Sequence, residues 1–228
     1  MTESIANDRR GEVKFVAPEM EYRHVLEWVR LNRAGFRQPY PARWVNSAYF
    51  DTYDLHAYHE NLAGVSRRTK VRYRWYGDLA PIGAGHLEIK TKRDRSGGKL
   101  LHRVERPPAG DTWRATIQGL IAQLPPAGAL WLHLNPQPVI VNRYRREYFV
   151  SADGKVRATV DTEGAVFDQR YGNRPQLVEP ANLPRTVVLE IKFAPEHRDL
   201  AADLLSDVPI RVGRNSKFAI GLKSIDGR

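Results

Sequence analysis

The pattern Glu-x-Lys recurs in three segments of the sequence that otherwise look like β-strands. It appears at residues 12–14, 88–90 and 190–192. Residues i and i+2 of a strand lie on the same face, so each segment presents a carboxylate and an ammonium group side by side. A carboxylate can bind a divalent cation and a cationic side chain can bind phosphate oxygens. The repeat is therefore suited to holding phosphates together with a metal.

Basic residues occupy the same alternating positions on other predicted strands. Arg72 and Arg74 alternate with apolar residues on one strand, and Arg146 and Arg157 lie on two others. A single charged face usually just meets water, because antiparallel sheets commonly have one solvated face. If the sheet closes into a barrel, however, one face of each strand lines the lumen, where desolvating a charge costs roughly several kcal/mol. The pattern then indicates a hydrated tunnel that binds a charged ligand.

The charge of this predicted lumen indicates the sign of the ligand. Its eight cationic candidates are Lys14, Arg72, Arg74, Lys90, Arg146, Arg157, Lys192 and Lys217. Its three acidic candidates are Glu12, Glu88 and Glu190. The excess of cations favours a chain of phosphates, whose oxygens arginine binds through paired N–H groups. Carboxylates beside phosphate are favourable only with a metal between them, so Mg²⁺ or Mn²⁺ is predicted as well.

Hydrophobic periodicity and turn residues define the elements that would position these side chains. Strands are predicted at residues 11–16, 44–50, 67–76, 86–92, 100–106, 139–150, 155–161 and 186–193. Helices are predicted at residues 18–33, 112–124, 195–206 and 216–225. Most strands follow one another through turns, as at residues 151–154, which favours antiparallel pairing. The sequence therefore predicts an α+β fold, an antiparallel eight-stranded tunnel β-barrel with flanking helices.

Composition narrows the class of protein further. The chain has 228 residues, of which 42% are hydrophobic, enough for a single domain over residues 1–228. It contains no cysteine, which excludes disulfides and thiolate metal sites. We see neither a signal peptide nor a membrane span of ~18 apolar residues, so a cytoplasmic location is expected. The net charge of +10 favours a polyanionic partner.

Eight segments together resemble the VTC domain, the polyphosphate polymerase module of the vacuolar transporter chaperone complex. This family lies within the triphosphate tunnel metalloenzyme, or CYTH-like, superfamily. The segments are EVKF (12–15), NSAYFDTYDLHAY (46–58), RTKVRYRWYG (68–77), LEIKTK (87–92), YRREYF (144–149), VRATVDT (156–162), LEIKF (189–193) and NSKFAIG (215–221). They follow the family's order along nearly the whole chain, and the set is far more specific than any one segment.

The resemblance implies transfer of the γ-phosphoryl group of ATP onto a growing inorganic polyphosphate chain, with Mn²⁺ or Mg²⁺. It also implies roles for individual residues. The implied catalytic cations are Arg72, Arg74, Arg146, Arg157 and Lys90. The implied ligands of neighbouring phosphates are Lys14, Tyr144, Ser216 and Lys217. Glu190 matches the family's metal-binding carboxylate.

One position departs from the wider superfamily. Tunnel triphosphatases carry Glu-x-Glu-x-Lys on the first strand, whereas here Arg10 stands where the first Glu is expected. Loss of a carboxylate weakens a two-metal hydrolytic site and makes the cavity more cationic, which suits a polymerase.

Two alternatives to a polymerase stay open. One is a tunnel-fold tripolyphosphatase or nucleoside triphosphatase. The other is a non-catalytic module that binds polyphosphate or inositol polyphosphates. Nucleic-acid binding is not expected, because the basic residues fall on inward-facing strand positions rather than on an open, aromatic-rich sheet.

Overall fold

The computed structural model describes residues 6–7, 11–93, 96–108 and 110–226. The strands are β1 (Ala6–Asn7), β2 (Gly11–Pro18), β3 (Arg43–Asp51), β4 (Arg68–Tyr76), β5 (Gly85–Arg93), β6 (Ser96–Val104), β7 (Gln137–Val150), β8 (Val156–Asp168) and β9 (Thr186–Phe193). The helices are α1 (Tyr22–Leu31), α2 (His56–Leu62), α3 (Trp113–Ile121), α4 (Pro126–Leu134), α5 (Arg198–Leu205) and α6 (Lys217–Asp226). Arg10, the position that departs from the triphosphatase pattern, lies outside the described residues.

All of these strands belong to one antiparallel sheet in the order β1-β6-β5-β4-β3-β7-β8-β9-β2. The predicted antiparallel sheet of eight strands is confirmed, with the two-residue β1 added at one edge. The prediction of a closed barrel holds only loosely, because in the described part of the chain no ladder joins β6 to β2. Chain connectivity still brings the two edges together. Asn7 pairs with β6 and Gly11 pairs with β9, and four residues of chain span at most ~14 Å.

The outward face of the sheet carries the hydrophobic core in two clusters. Phe15 and Leu189, on β2 and β9, pack in the same cluster as residues of α1 and α5. Trp75 and Leu87, on β4 and β5, pack with residues of α3 and α4. Trp75 thus packs outward, away from the charged face, and its side chain is fully buried. Burying a large apolar side chain contributes roughly 1.5–3 kcal/mol. The two outer clusters therefore supply much of the folding stability, which the charged tunnel face does not provide.

Helix α6 packs against the inward face of the sheet. Tyr49 of β3 lies opposite Arg72 and shares its face, and its ring stacks on Phe218 of α6 at 5.0 Å. Ile140 of β7 and Leu222 of α6 belong to the same buried cluster. The helix therefore fills the end of the tunnel at which β7 begins.

The observed elements differ from the predicted ones mainly at their ends. The first predicted helix, at residues 18–33, begins only at Tyr22, after a short 3₁₀ turn. Strand β8 continues to Asp168 instead of ending at residue 161. Within this extension the β7–β8 register shifts between Arg143 and Arg145. Helix α4 was not predicted, because its nine residues PAGALWLHL are too uniformly apolar to show helical periodicity.

Candidate functional site

Three cations converge on one buried carboxylate on the inward face of β4, β5 and β6. Arg72 lies opposite Glu88 in the ladder, and its Nη2 donates to Glu88 Oε2 at 2.6 Å. Arg74 Nη1 lies 3.6 Å from Glu88 Oε1, and Lys99 Nζ lies 3.3 Å from Oε2. Arg72 also donates to the Tyr49 hydroxyl at 3.1 Å. One negative charge thus serves three positive ones, which leaves positive charge for a ligand.

The ionisation of Glu88 follows from these contacts. Burial alone would raise the pKa of this carboxyl, but Arg72, Arg74 and Lys99 outweigh burial and hold its pKa well below the usual range. Glu88 therefore stays ionised and fixes the orientation of the two guanidinium groups.

A second buried carboxylate organises the neighbouring wall. Arg146 donates through Nε and Nη2 to the two oxygens of Asp161, at 2.6 and 2.7 Å. Lys217 Nζ reaches Asp161 Oδ2 at 2.5 Å and lies 4.2 Å from the centre of the Tyr144 ring. Arg74 Nη2 donates to the Tyr144 hydroxyl at 3.4 Å. Tyr144 thus joins the two cation clusters.

Asp161 is a residue that sequence reasoning left out of the site. Burial alone would raise the pKa of its carboxyl, but Arg146 and Lys217 outweigh burial and lower it. Its strand position, on the same face as Arg157, was the available signal. Lys70 and Lys99 were missed in the same way, although both occupy inward-facing strand positions.

The Glu-x-Lys repeats of β2 and β9 form one network, because these strands are antiparallel neighbours. Glu12 lies opposite Lys192 and Lys14 lies opposite Glu190. Lys14 Nζ is 2.6 Å from Glu12 Oε1, and Lys192 Nζ is 2.5 Å from Glu190 Oε1 and 3.6 Å from Glu12 Oε2. Arg146 Nη2 approaches Glu190 Oε2 at 3.7 Å. Lys192, one of the predicted lumen cations, thus lies between two carboxylates.

The pKa values of this network are shifted by its own charges. Burial alone would lower the pKa of Lys14, but Glu190 and Glu12 outweigh burial and raise it. Burial alone would raise the pKa of Glu190, but Lys192, Arg146 and Lys14 together hold it well below its usual range. Glu190 is therefore anionic at neutral pH, as a metal ligand must be.

The acidic residues fit a divalent cation only in part. Among the described residues, no group of three or more His, Cys, Asp or Glu side chains is arranged to hold a metal. Glu190 and Glu12 nevertheless share the Lys192 ammonium group, so oxygens of both face a common point. Mg²⁺ is often bound by one or two carboxylates with substrate phosphates completing its shell. The donors therefore suit a metal that binds together with phosphate, and they do not form a protein-only cage.

Two inward-facing lysines are poorly compensated. The nearby Arg72 guanidinium, with burial and Lys192, lowers the pKa of Lys90 to about 7. Burial lowers the pKa of Lys70 to about 8, and its Nζ donates to Ser216 Oγ at 3.1 Å. A bound polyanion would favour the charged form of both lysines. Neighbouring positive charge is thus the main cause of the lowered pKa of Lys90, and burial is the main cause for Lys70.

The other residues predicted for the site lie at its margins. Arg157 is exposed near the start of β8, opposite Lys192. Ser216 immediately precedes α6 and accepts a hydrogen bond from the backbone N–H of Ala219 at 3.3 Å. The structure connects Lys14, Arg72, Arg74, Tyr144, Arg146, Glu190, Ser216 and Lys217 through contacts. Lys90 lies near enough to Arg72 for their charges to interact, while Arg157 stands at the solvent side.

Several buried polar atoms on the same face have no hydrogen-bond partner among the described residues. They are Ser47 Oγ, Arg74 Nε, Thr159 Oγ1, and both amide atoms of the Asn142 side chain. Ser47 lies opposite both Arg74 and Asn142 in the ladders. An unpaired buried polar group costs about 1–3 kcal/mol, so this row is typical of a surface that a ligand or water covers. Neither Ser47 nor Asn142 was singled out from the sequence.

The inward face of this antiparallel sheet holds clustered Arg and Lys side chains around buried carboxylates, as the resemblance to a tunnel fold implies. The model of the VTC domain family matches residues 9–225, and the chain belongs to that family. This membership supports a polyphosphate-related function. No curated protein matches the sequence.

Two solved structures show the same fold. One is the PH1819 protein of Pyrococcus horikoshii OT3, with 13% identity, a TM-score of 0.50, and coverage of 96% of this chain and 99% of that one. The other is a proposed adenylate cyclase of Vibrio parahaemolyticus, with 12% identity, a TM-score of 0.53, and coverage of 92% and 96%. At such low identity these similarities concern the fold alone. Within the described residues, no helix has the length and apolar character needed to cross a bilayer.

Proposed function

We propose that this protein is an ATP-dependent polyphosphate polymerase, which transfers the γ-phosphoryl group of ATP onto the end of a growing polyphosphate chain. The observation that carries the proposal is the cluster of Arg72, Arg74 and Arg146 on one tunnel face, where Arg74 and Arg146 both contact Tyr144. Each arginine is anchored by a buried carboxylate and is more than four-fifths buried as a side chain. Such preorganised cations suit a dianionic or more highly charged substrate.

The reaction needs positioning and charge stabilisation more than covalent help from the protein. A terminal phosphate oxygen of the chain attacks the γ-phosphorus of ATP, the bond from that phosphorus to the β–γ bridging oxygen breaks, and ADP leaves. The attacking phosphate is already anionic at neutral pH, so no general base is required. Arg72, Arg74 and Arg146 stabilise the oxygens of the transferred group, and Lys14, Lys90 and Lys217 hold neighbouring phosphates.

A divalent cation, Mn²⁺ or Mg²⁺, would be held by Glu190 and Glu12 and would neutralise charge on the substrate phosphates. Glu190 and Glu12 favour a single cation over a hydrolytic two-metal site. They are only two carboxylates, and both already contact the Lys192 ammonium group. Arg157, at the solvent side, guides the polyanion toward the tunnel. The partners proposed here are ATP and inorganic polyphosphate.

The test is incubation of the purified protein with ATP and Mn²⁺ or Mg²⁺, followed by gel electrophoresis and phosphorus NMR. We expect a long polymer that an exopolyphosphatase digests. Arg74→Ala and Glu190→Gln should lose the polymer while circular dichroism shows a folded protein, and the exposed-loop variant Arg174→Ala should retain it. Phosphate release without polymer would indicate a triphosphatase, and tight anion binding without ATP turnover would indicate a binding module. Either result would contradict the polymerase proposal.

A further inference from the structure

Arg43 is surrounded by three tyrosine rings. Its guanidinium carbon lies 4.1 Å from the centre of the Tyr76 ring, 4.9 Å from Tyr148 and 5.1 Å from Tyr40. Its Nε also donates to the Tyr148 hydroxyl at 3.2 Å. The rings of Tyr40 and Tyr148 are 4.7 Å apart and tilted by 54°. One cation therefore sets the orientation of a compact aromatic cluster.

This cluster continues the cationic lining of the tunnel. Tyr76 follows Arg74 by two residues on β4, and Tyr148 follows Arg146 by two residues on β7, so each tyrosine shares the face of its arginine. Arg43 lies directly opposite Arg146 in the β3–β7 ladder. These positions are at the ends of β4 and β7 that lie away from α6. The aromatic cluster therefore stands at the end of the tunnel opposite α6.

The cluster is accessible to a ligand. Tyr40 is 43% exposed and Tyr76 is 37% exposed, and Arg43 is also exposed. A guanidinium group above a ring covers only one of its two faces. Parts of the Tyr40 and Tyr76 side chains are therefore exposed to solvent beside a tunnel that suits phosphates.

We infer that Tyr40, Arg43, Tyr76 and Tyr148 bind the nucleobase of a nucleoside triphosphate whose phosphates enter the tunnel. The inference rests on the proposed function, because it takes the phosphates to lie on Arg74 and Arg146. One step from residue i to i+2 along a strand is roughly 7 Å, a separation that the ribose and α-phosphate of a nucleotide can bridge. Arg43 is a positioning residue that holds the rings in place for stacking.

Stacking also predicts the selectivity of this subsite. Every base has a π-face, so aromatic platforms accept bases with little discrimination. We therefore expect adenine and guanine nucleotides to bind with similar affinity. A cluster that served only the fold would instead affect every ligand of the tunnel equally when altered.

The experiment compares two probes that share phosphates and differ in the base. Isothermal titration calorimetry with Mg²⁺ measures binding of adenosine 5′-(β,γ-imido)triphosphate and of inorganic tripolyphosphate. We expect Tyr40→Leu and Tyr76→Leu to weaken nucleotide binding about 5- to 150-fold and to leave tripolyphosphate binding within about twofold. Tyr53→Leu is the matched control, because Tyr53 is 77% exposed and lies in the turn after β3, beside the α6 end.

A second readout reports the base directly. Saturation-transfer NMR should show magnetisation reaching adenine H2 and H8 in the wild type and not in the double variant Tyr40→Leu/Tyr76→Leu. Arg43→Met should weaken nucleotide binding while tripolyphosphate binding persists.

The possible outcomes separate this inference from the proposed function. Equal losses for both probes, or no loss for either, would overturn the nucleobase subsite. A wild-type protein that fails to bind the nucleotide would overturn the subsite and the polymerase together. Base-dependent binding that the tyrosine variants abolish, in a protein that makes no polymer, would support the subsite and contradict only the polymerase.

Discussion

Asp161 accepts two hydrogen bonds from Arg146 and one from Lys217, so a single buried carboxylate ties the tunnel wall to helix α6. The wall and the helix are also joined by apolar packing around Phe218 and Leu222. Asp161 therefore positions two of the proposed phosphate ligands at once, and its charge balances theirs when no substrate is bound.

Neutralising Asp161 should lower the stability of the free protein and increase the stabilisation that a bound polyanion provides. Asp161→Asn leaves Arg146 and Lys217 without their anion, and breaking a buried ion pair costs about 3–5 kcal/mol. We expect a lower thermal midpoint for the free protein and a larger upward shift on adding tripolyphosphate, which supplies the missing negative charge. Differential scanning calorimetry measures both. The control Glu105→Gln alters an exposed pair with Arg103 and should change neither the thermal midpoint nor its shift with tripolyphosphate. If Asp161→Asn shifts as the wild type does on adding tripolyphosphate, the role assigned to Asp161 is wrong.

Arg72 should not be replaceable by lysine. Its Nε and Nη2 both contact Glu88 Oε2, and its Nη1 contacts Tyr49, an arrangement that needs a planar, forked donor. We expect Arg72→Lys to weaken tripolyphosphate binding about 10- to 100-fold, since a charge-assisted hydrogen bond contributes about 1.5–3 kcal/mol. Calorimetric titration checks this. Affinity equal to that of the wild type would show that charge alone is sufficient at this position.

The inward face of the tunnel was largely predictable from the sequence, because strand alternation is a local property. Arg72 and Arg74 alternate with Tyr73 and Trp75, and the structure places the first pair inward and the second in the outer core. The same alternation places Glu190 inward. A two-residue period does not depend on which strands pair, so these positions needed no knowledge of the fold.

The pairing of charges was not predictable in the same way. The contact of Asp161 with Lys217 joins residues 56 positions apart, on a strand and on the last helix. Similarly, the carboxylate of Asp51, at the end of β3, accepts hydrogen bonds from the backbone N–H groups of Ala57 and Tyr58 at the start of α2. Such contacts follow from tertiary geometry, which no sequence period encodes. For the same reason the alternation could not distinguish an open ladder from a closed barrel.

The unpaired amide of Asn142 should lower the free energy of unfolding of the free protein. Asn142 is 2% exposed, and both of its polar side-chain atoms have no partner among the described residues. We expect Asn142→Leu to raise the free energy of unfolding by about 1 kcal/mol and to reduce tripolyphosphate affinity. Chemical denaturation and titration measure the two effects. A variant that loses stability while keeping full affinity would show that Asn142 serves the fold and not the ligand.

Lys90 and Lys70 should take up protons when a polyanion binds. Their pKa values in the free protein are about 7 and about 8, and bound phosphates raise both. At pH 8 the free protein therefore lacks protons that the complex holds, so binding consumes protons and weakens as pH rises above about 7. Titration calorimetry of tripolyphosphate in buffers of different ionisation enthalpy measures the uptake. We expect Lys90→Met to reduce the number of protons taken up, whereas Lys223→Met, in the last turn of α6, should not. Equal proton uptake in the wild type and Lys90→Met would show that Lys90 is not a source of the uptake.

The stability of the free protein should depend on pH in the opposite direction to ligand binding. Rising pH should weaken binding but stabilise the free protein, because Lys90 loses its charge. Because Arg72 and burial lower the folded-state pKa of Lys90 to about 7, well below the ordinary lysine pKa of about 10.4, the unfolded chain binds more protons between these two values. The free energy of unfolding therefore rises with pH across this window, and the penalty for a charged Lys90 is largest below pH 7. We expect Lys90→Met to be more stable than the wild type at pH 6, and the difference to shrink steadily toward pH 10.5. Urea denaturation at several pH values tests this, with Lys223→Met as the control. A pH-independent difference would mean that packing, and not the charge of Lys90, determines the effect.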